Sequence, residues 1–185
     1  MKRCAVLTTM AAALLVSGAS AQNAPSMAAA VKQSYNQMKG LLTRAAEEMP
    51  DEGYSFQPTP AERNFGGWVA HVAESQMNTC STIAGARKSS DAGSKTSKAD
   101  LMAALKESFD ACDPVFEGLT DANAADGVPS FRGQAPRLTS LFGMLSHDNE
   151  CYGSMAVYLR LKEVVPPSSQ RGGGPRGGPR GAKKE

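Results

Sequence analysis

Ser146-His147-Asp148-Asn149-Glu150-Cys151-Tyr152-Gly153 sets an imidazole and a thiol four residues apart. Residues at that spacing share one face of a helix and can reach a common point. The chain has two histidines, and the other, His71, lies in an earlier segment with a similar amphipathic pattern. Three such donors meeting at one spot make a zinc-type site that keeps a coordination position for water or substrate. Structural zinc sites are closed by four protein ligands, so this layout belongs to catalytic metals. The plainer reading of each residue also stands: a single histidine at a core edge is commonly a hydrogen-bonded structural group, and His-x-x-x-Cys alone is a weak signal.

Four segments with helical periodicity must position these groups, and none shows sustained period-two alternation. The first covers about 26 to 49, with Val31, Tyr35, Met38, Leu42, Ala45 and Met49 on one face. The second opens on Thr59-Pro60-Ala61-Glu62, a capping-box pattern with proline at the first helical position. Its apolar face is Phe65, Val69, Val72, Cys80 and Ile83, with Gln76 on the same side. A third starts at Ser97-Lys98-Ala99-Asp100 and carries Leu101, Leu105, Phe109, Cys112, Phe116 and Leu119, with Pro114 expected to kink or shorten it. The fourth covers about 139 to 163 and carries Leu141, Leu145, Tyr152, Met155 and Leu159. The connection 120–138, with its Gly, Pro and Asn, should be irregular. Four amphipathic helices predict an all-α, four-helix bundle.

On a helical wheel His147 and Cys151 fall roughly 80–120° from the centre of the fourth apolar arc. His71 is similarly offset, beside Trp68. Groups on the flanks of two core faces meet at the rim of the groove between helices, half buried and open to substrate. Asp148 falls on the apolar arc itself, where an acid is costly unless it is paired or faces a polar cavity. Glu74 and Glu150 fall on solvent-facing sides and read as surface charge.

The ends have their own chemistry. Residues 1–21 read as a cleavable secretory signal: Lys2 and Arg3, an apolar run from Ala5 to Val16, then Ala19-Ser20-Ala21. About a dozen apolar residues are too few to span a bilayer. The expected mature protein is secreted or periplasmic, with a bundle over 22–165. From Pro166 the Gly-, Pro- and Arg-rich end, 166–185, reads as a disordered basic tail. Its three Arg, two Lys and one Glu carry +4; the whole chain is +2 and Lys2 and Arg3 leave with the signal, so the middle carries −4. Arg-Gly segments can bind RNA, but an exported chain points instead to contact with anionic envelope surfaces and no specific nucleic acid.

Three cysteines remain after export, Cys80, Cys112 and Cys151, an odd number for an oxidising compartment. Cys80 and Cys112 lie on apolar faces of helices two and three. Antiparallel helices would set them on the order of 13 Å apart in height, parallel ones roughly 6 Å. The parallel arrangement needs a crossover, and the residues from 84 to 97 can cover about 40 Å. A Cys80–Cys112 disulfide is therefore expected, against two buried free thiols, and Cys151 is then the spare thiol.

Phe65-Gly66-Gly67-Trp68-Val69-Ala70-His71-Val72-Ala73 resembles the helix-two signature of the DinB-like proteins, also called YfiT-like metalloenzymes. The segments His147-Asp148-Asn149-Glu150-Cys151-Tyr152-Gly153, Tyr158-Leu159-Arg160-Leu161-Lys162 and Val165-Pro166-Pro167-Ser168-Ser169 are similar to an exported branch of that family. The resemblance covers residues 31–169. It implies an up-down-down-up bundle with a divalent metal held by three histidines, and it includes metal-dependent transferases acting with low-molecular-weight thiols. Carried over residue by residue, the ligands are His71 and His147, with Cys151 in place of the third histidine. That donor set favours zinc. Either the thiol is a working ligand, with Asp148 orienting a ligand from behind, or the site has decayed and Cys151 is a small core residue.

Two functions follow as expectations. One is a metal-dependent hydrolase or thiol transferase acting on a small molecule; the other is a non-catalytic exported bundle that binds a small ligand or serves a structural role, in either case able to form a homodimer. No Ser-His-Asp order, phosphate loop or nucleotide fingerprint supports another enzyme class.

Overall fold

The structure, a computed structural model, describes residues 24–130 and 133–170. The secretory-signal reading of 1–21 and most of the tail, 171–185, lie outside the described residues. Four helices dominate: α1 (Met27–Glu48), α2 (Phe65–Ile83), α3 (Lys98–Glu117) and α4 (Arg137–Leu161).

Helix starts follow local capping. Ser26 caps α1 by accepting from the Ala29 amide, and Ser97 caps α3 by accepting from the Asp100 amide. The α2 start differs from expectation. Residues 59–62 form only a turn, and the helix begins at Phe65, because the Asn64 side chain accepts the Gly67 amide at 2.7 Å while its own backbone is extended. Gly66 then permits a close approach, since a Cβ there would lie 3.0 Å from Leu101 Cδ1 and 3.2 Å from the Tyr54 carbonyl oxygen.

Pro114 does not end α3, which runs on to Glu117; Gly118 N–H donates back to the Pro114 carbonyl. The connection expected to be irregular contains an antiparallel hairpin, β1 (Gly127–Ser130) with β2 (Gly133–Pro136). Val128 is its buried anchor and Gly133 takes a positive φ of 103°.

Helix α4 closes with a Schellman motif: Val164 N–H donates to the Leu159 carbonyl and Glu163 N–H to that of Arg160, with Glu163 at φ 61°. This turn corrects the tail boundary. Residues 166–170 are not free chain but fold back on the bundle, with Pro166 and Pro167 buried. Ser168 N–H donates to Tyr152 Oη at 2.8 Å, Arg160 to Ser169 Oγ at 2.8 Å, and Gln170 to Glu48 at 2.7 Å.

Side-chain pairs fix the directions. Tyr35 meets Asp113 while Lys98 meets the Met49 carbonyl, so α1 and α3 are antiparallel. Tyr158 reaches Arg63 while Cys80 meets Met144, so α2 and α4 are antiparallel. Leu101 beside Gly66 and Cys112 bonded to Cys80 make α2 and α3 parallel. The course is up-down-down-up. One apolar core joins all four helices through Leu42, Phe65, Leu105, Phe116, Leu141 and Met155.

The expected disulfide is present: Cys80 and Cys112 are bonded across the parallel pair, with Cα atoms 5.0 Å apart and a sequence separation of 32. Among the described residues Cys151 is the free, buried thiol. In the chain-entropy account a loop of this length stabilises by about 3–4 kcal/mol. Replacing both cysteines by alanine should therefore lower the thermal midpoint on the order of 10 °C, measured by circular dichroism.

Candidate metal centre

The antiparallel run of α2 and α4 places His71 opposite His147. Phe65, Val69 and Val72 of α2 and Leu141, Leu145, Met155 and Leu159 of α4 turn inward. Their burial leaves the two histidines on adjoining flanks, each half buried. His71 Nε2 lies 3.0 Å from His147 Nε2, and Cys151 Sγ lies 3.6 Å from that same His147 nitrogen. One donor atom from each residue falls within 4.8 Å of the others. The three candidate ligands read from the sequence are thus brought together. Cys151 sits deeper than the half-buried rim position read from the wheel, only 1% exposed, because it adjoins the buried Tyr152 and carries a small side chain.

The donor set suits a divalent ion. Tetrahedral zinc with its usual bond lengths separates two nitrogen ligands by about 3.3 Å and a nitrogen from a sulfur by about 3.6 Å. The two separations here, 3.0 and 3.6 Å, lie within a few tenths of those values. With Nε2 turned toward the other donors, His147 Nδ1 faces Ser75 Oγ at 3.4 Å, which fixes the ring's tilt. Trp68 packs edge-on against His71, with ring centroids 6.1 Å apart, and Arg63 covers the Trp68 ring at 4.9 Å.

The two imidazoles are biased in opposite directions. Burial, then the nearby Arg63 and His147 charges, lower the His71 pKa below its usual value. The Asp148 carboxyl, followed by the Cys151 sulfur, pushes His147 up to about 10. His147 accordingly holds a proton at neutral pH, and the facing His71 nitrogen accepts it. Electron-rich surroundings that retain a proton there also favour a cation in its place.

Asp148 is 1% exposed, and the sequence placed it correctly on the apolar arc. Its cost is offset by a polar run across the core. Ser108 Oγ–H donates to Gln76 Oε1 at 3.0 Å, and Gln76 Nε2–H donates to Asp148 Oδ2 at 2.9 Å. The other oxygen, Oδ1, has no hydrogen-bond partner and lies 3.8 Å from His147 Nδ1, an electrostatic contact behind the ring. Ser75 and Ser108 escaped the sequence reading. Ser75 lies one turn from His71 and Ser108 is a polar residue on a buried helical face, signals that mean little until the partner helix is known. Glu74 is more than surface charge: its Oε1 accepts the Gly93 amide at 2.8 Å and pins the 84–97 crossover to α2. Glu150 is exposed, as read.

Two measurements follow. A ligand must lose its proton to bind metal. His147 is protonated below about 10, so zinc affinity should rise at least tenfold per pH unit between pH 7 and 9 and flatten above pH 10, read by competition with a coloured chelator. Gln76→Leu leaves a buried carboxyl without its donor and should cost about 3 kcal/mol in chemical denaturation. The double variant Gln76→Leu/Asp148→Leu should recover more than half of that loss.

Comparison with known proteins agrees with the topology. No curated protein matches the chain. A DinB-like protein from Bacillus cereus superposes with a TM-score of 0.62 at 18% identity, over 74% of this chain and 93% of that one. A DinB-like protein from Bacillus subtilis gives 0.61 at 16% identity, over 77% of this chain and 99% of that one. At such identities the likeness speaks for the fold. The family profile of the DinB superfamily matches residues 34–153, which include every member of the His71, His147, Cys151 cluster. The chain belongs to the DinB superfamily.

Proposed function

We propose that this protein is an exported zinc-binding DinB protein whose metal, held by His71, His147 and Cys151, serves a hydrolase- or thiol-transferase-type reaction on a small molecule. The observation that carries the reading is the convergence of three donors from two helices within 4.8 Å. Nitrogen and sulfur donors together favour zinc over harder cations. Three ligands leave a coordination position, and a zinc ion bound there would act as a Lewis acid on a substrate oxygen or sulfur.

The chain's own residues divide the remaining work. His71 and His147 hold the ion at the solvent-facing rim, and Cys151 closes the buried side. Ser75 and Asp148 fix the His147 ring from its Nδ1 side. Trp68 packs edge-on against the His71 ring, with Arg63 over the Trp68 ring. The bond between Cys80 and Cys112 supports an oxidising, extracytoplasmic location, as does the signal-like sequence of 1–21. No helix of the described residues is long and apolar enough to cross a membrane. In this reading the basic end of the chain brushes anionic envelope surfaces, and nucleic acid is not a partner.

Full-length protein exported by a host cell and purified without chelator should carry about one zinc per chain, as in three-ligand catalytic sites. His147→Ala and His71→Ala should each lose it, while Cys151→His should retain it. A folded protein that refuses added zinc would overturn the proposal in favour of a non-catalytic bundle that binds a small ligand or plays a structural part.

A further inference from the structure

The crossover from α2 to α3 must return along the outside of α2, and it does not lie flat. Between it and the helix is an open cleft of about 640 Å³, with His71 and Ser75 at one end and Arg87, Lys88 and Ser90 along the crossover side. The middle of the chain, 22–170, carries a net charge of −4, yet this cleft holds two cations that form no ion pair among the described residues. The carboxylate present, Glu74, already accepts the Gly93 amide. A second cleft shares His71 and Glu74 on the other side, but there Lys95 is paired with Asp91 at 2.7 Å and Glu62 balances Arg63.

The Arg87 side chain and the backbone that carries Lys88 are also held in place. Arg87 Nε–H donates to Asn78 Oδ1 at 3.2 Å, which leaves both terminal amino groups of the guanidinium free. Lys88 N–H donates to Ser81 Oγ at 2.8 Å, and Ala86 N–H to the Ser81 carbonyl at 2.9 Å, so two bonds to one buried serine tether the 86–88 strap. His71, Ser75 and Asn78 recur along one face of α2. Seven residues from His71 to Asn78 correspond to about 10 Å of helix rise.

We propose that this cleft binds the anionic end of a small molecule, with Arg87 and Lys88 holding a carboxylate or phosphate while the reacting end lies at His71. Arginine offers a planar fork for such a group and lysine a mobile point charge. The proposal deepens the metal-site reading and rests on it for the position of the reacting end. The substrate class is an anion with a metal-seeking group about 10 Å away, the helix rise between His71 and Asn78. A neutral or cationic molecule would leave both cations without a counter-charge.

The test uses cobalt-loaded full-length protein and three hydroxamates that differ at the far end of a six-carbon chain: carboxylate, alcohol or ammonium. Binding is read from the cobalt absorption bands. The carboxylate should bind at least tenfold tighter than the alcohol, equivalent to about 1.4 kcal/mol, and the ammonium weakest. Arg87→Gln/Lys88→Gln should abolish that preference with cobalt content and alcohol affinity unchanged. Equal affinities for carboxylate and alcohol in the unmodified, cobalt-loaded protein would overturn the anion site and leave the metal centre standing. Should the protein take up no cobalt, the metal reading fails and the anion site is read by titrating inorganic phosphate against amide resonances. Saturable shifts at Arg87 and Lys88 that vanish in the double variant support it, and no saturable shift refutes it.

Discussion

Two neighbouring helices that run in the same direction cannot be joined by a short turn, and this constraint shapes the whole molecule. Because α2 and α3 are parallel, the chain must travel back along the bundle between them, and residues 84–97 do so on the outer side of α2. The covalent bond between Cys80 and Cys112 holds the pair in register. With α2 fixed downward, α4 completes the bundle in the opposite sense, and that reversal is what sets His71 level with His147. The same return path supplies one wall of the cleft outside His71. Topology, crosslink, donor cluster and cleft are therefore consequences of one parallel contact.

Inside the bundle, polarity is concentrated rather than scattered. Ser108, Gln76 and Asp148 link α3, α2 and α4 by hydrogen bonds through the core, immediately behind the histidine pair. Such a run costs desolvation and specifies the registry of three helices at once. Tyr35 and Asp113, with Lys39, form a second polar contact between α1 and α3, nearer the surface. The apolar core alone, rich in Ala, Leu and Met, would tolerate sliding; these polar contacts do not.

Much of this was legible in the residues because the signals were periodic. Apolar spacing revealed four helices, the four-residue step from His147 to Cys151 predicted a shared face, and the heights of Cys80 and Cys112 favoured parallel helices. Asp148 drew notice as an acid on an apolar arc, although its partner was visible only as Gln76 on another helix. Failures came where local rules competed. Residues 59–62 satisfy a capping pattern, but Asn64 captures the Gly67 amide and starts α2 later. The hairpin at 127–136 has little strand propensity, with Pro129 and Gly133 in its strands, and forms by burying Val128. Pro166 and Pro167 look like linker by composition, yet their rings pack on the bundle once Glu163 reverses the chain.

The depth difference among the three donors carries a kinetic consequence. Both imidazoles meet solvent, whereas the sulfur of Cys151 is shut behind them. An ion arriving from outside would engage nitrogen first and sulfur last, and one departing would be released in the reverse order. Oxidants face the same gate, so an occupied centre keeps its most vulnerable atom out of their reach.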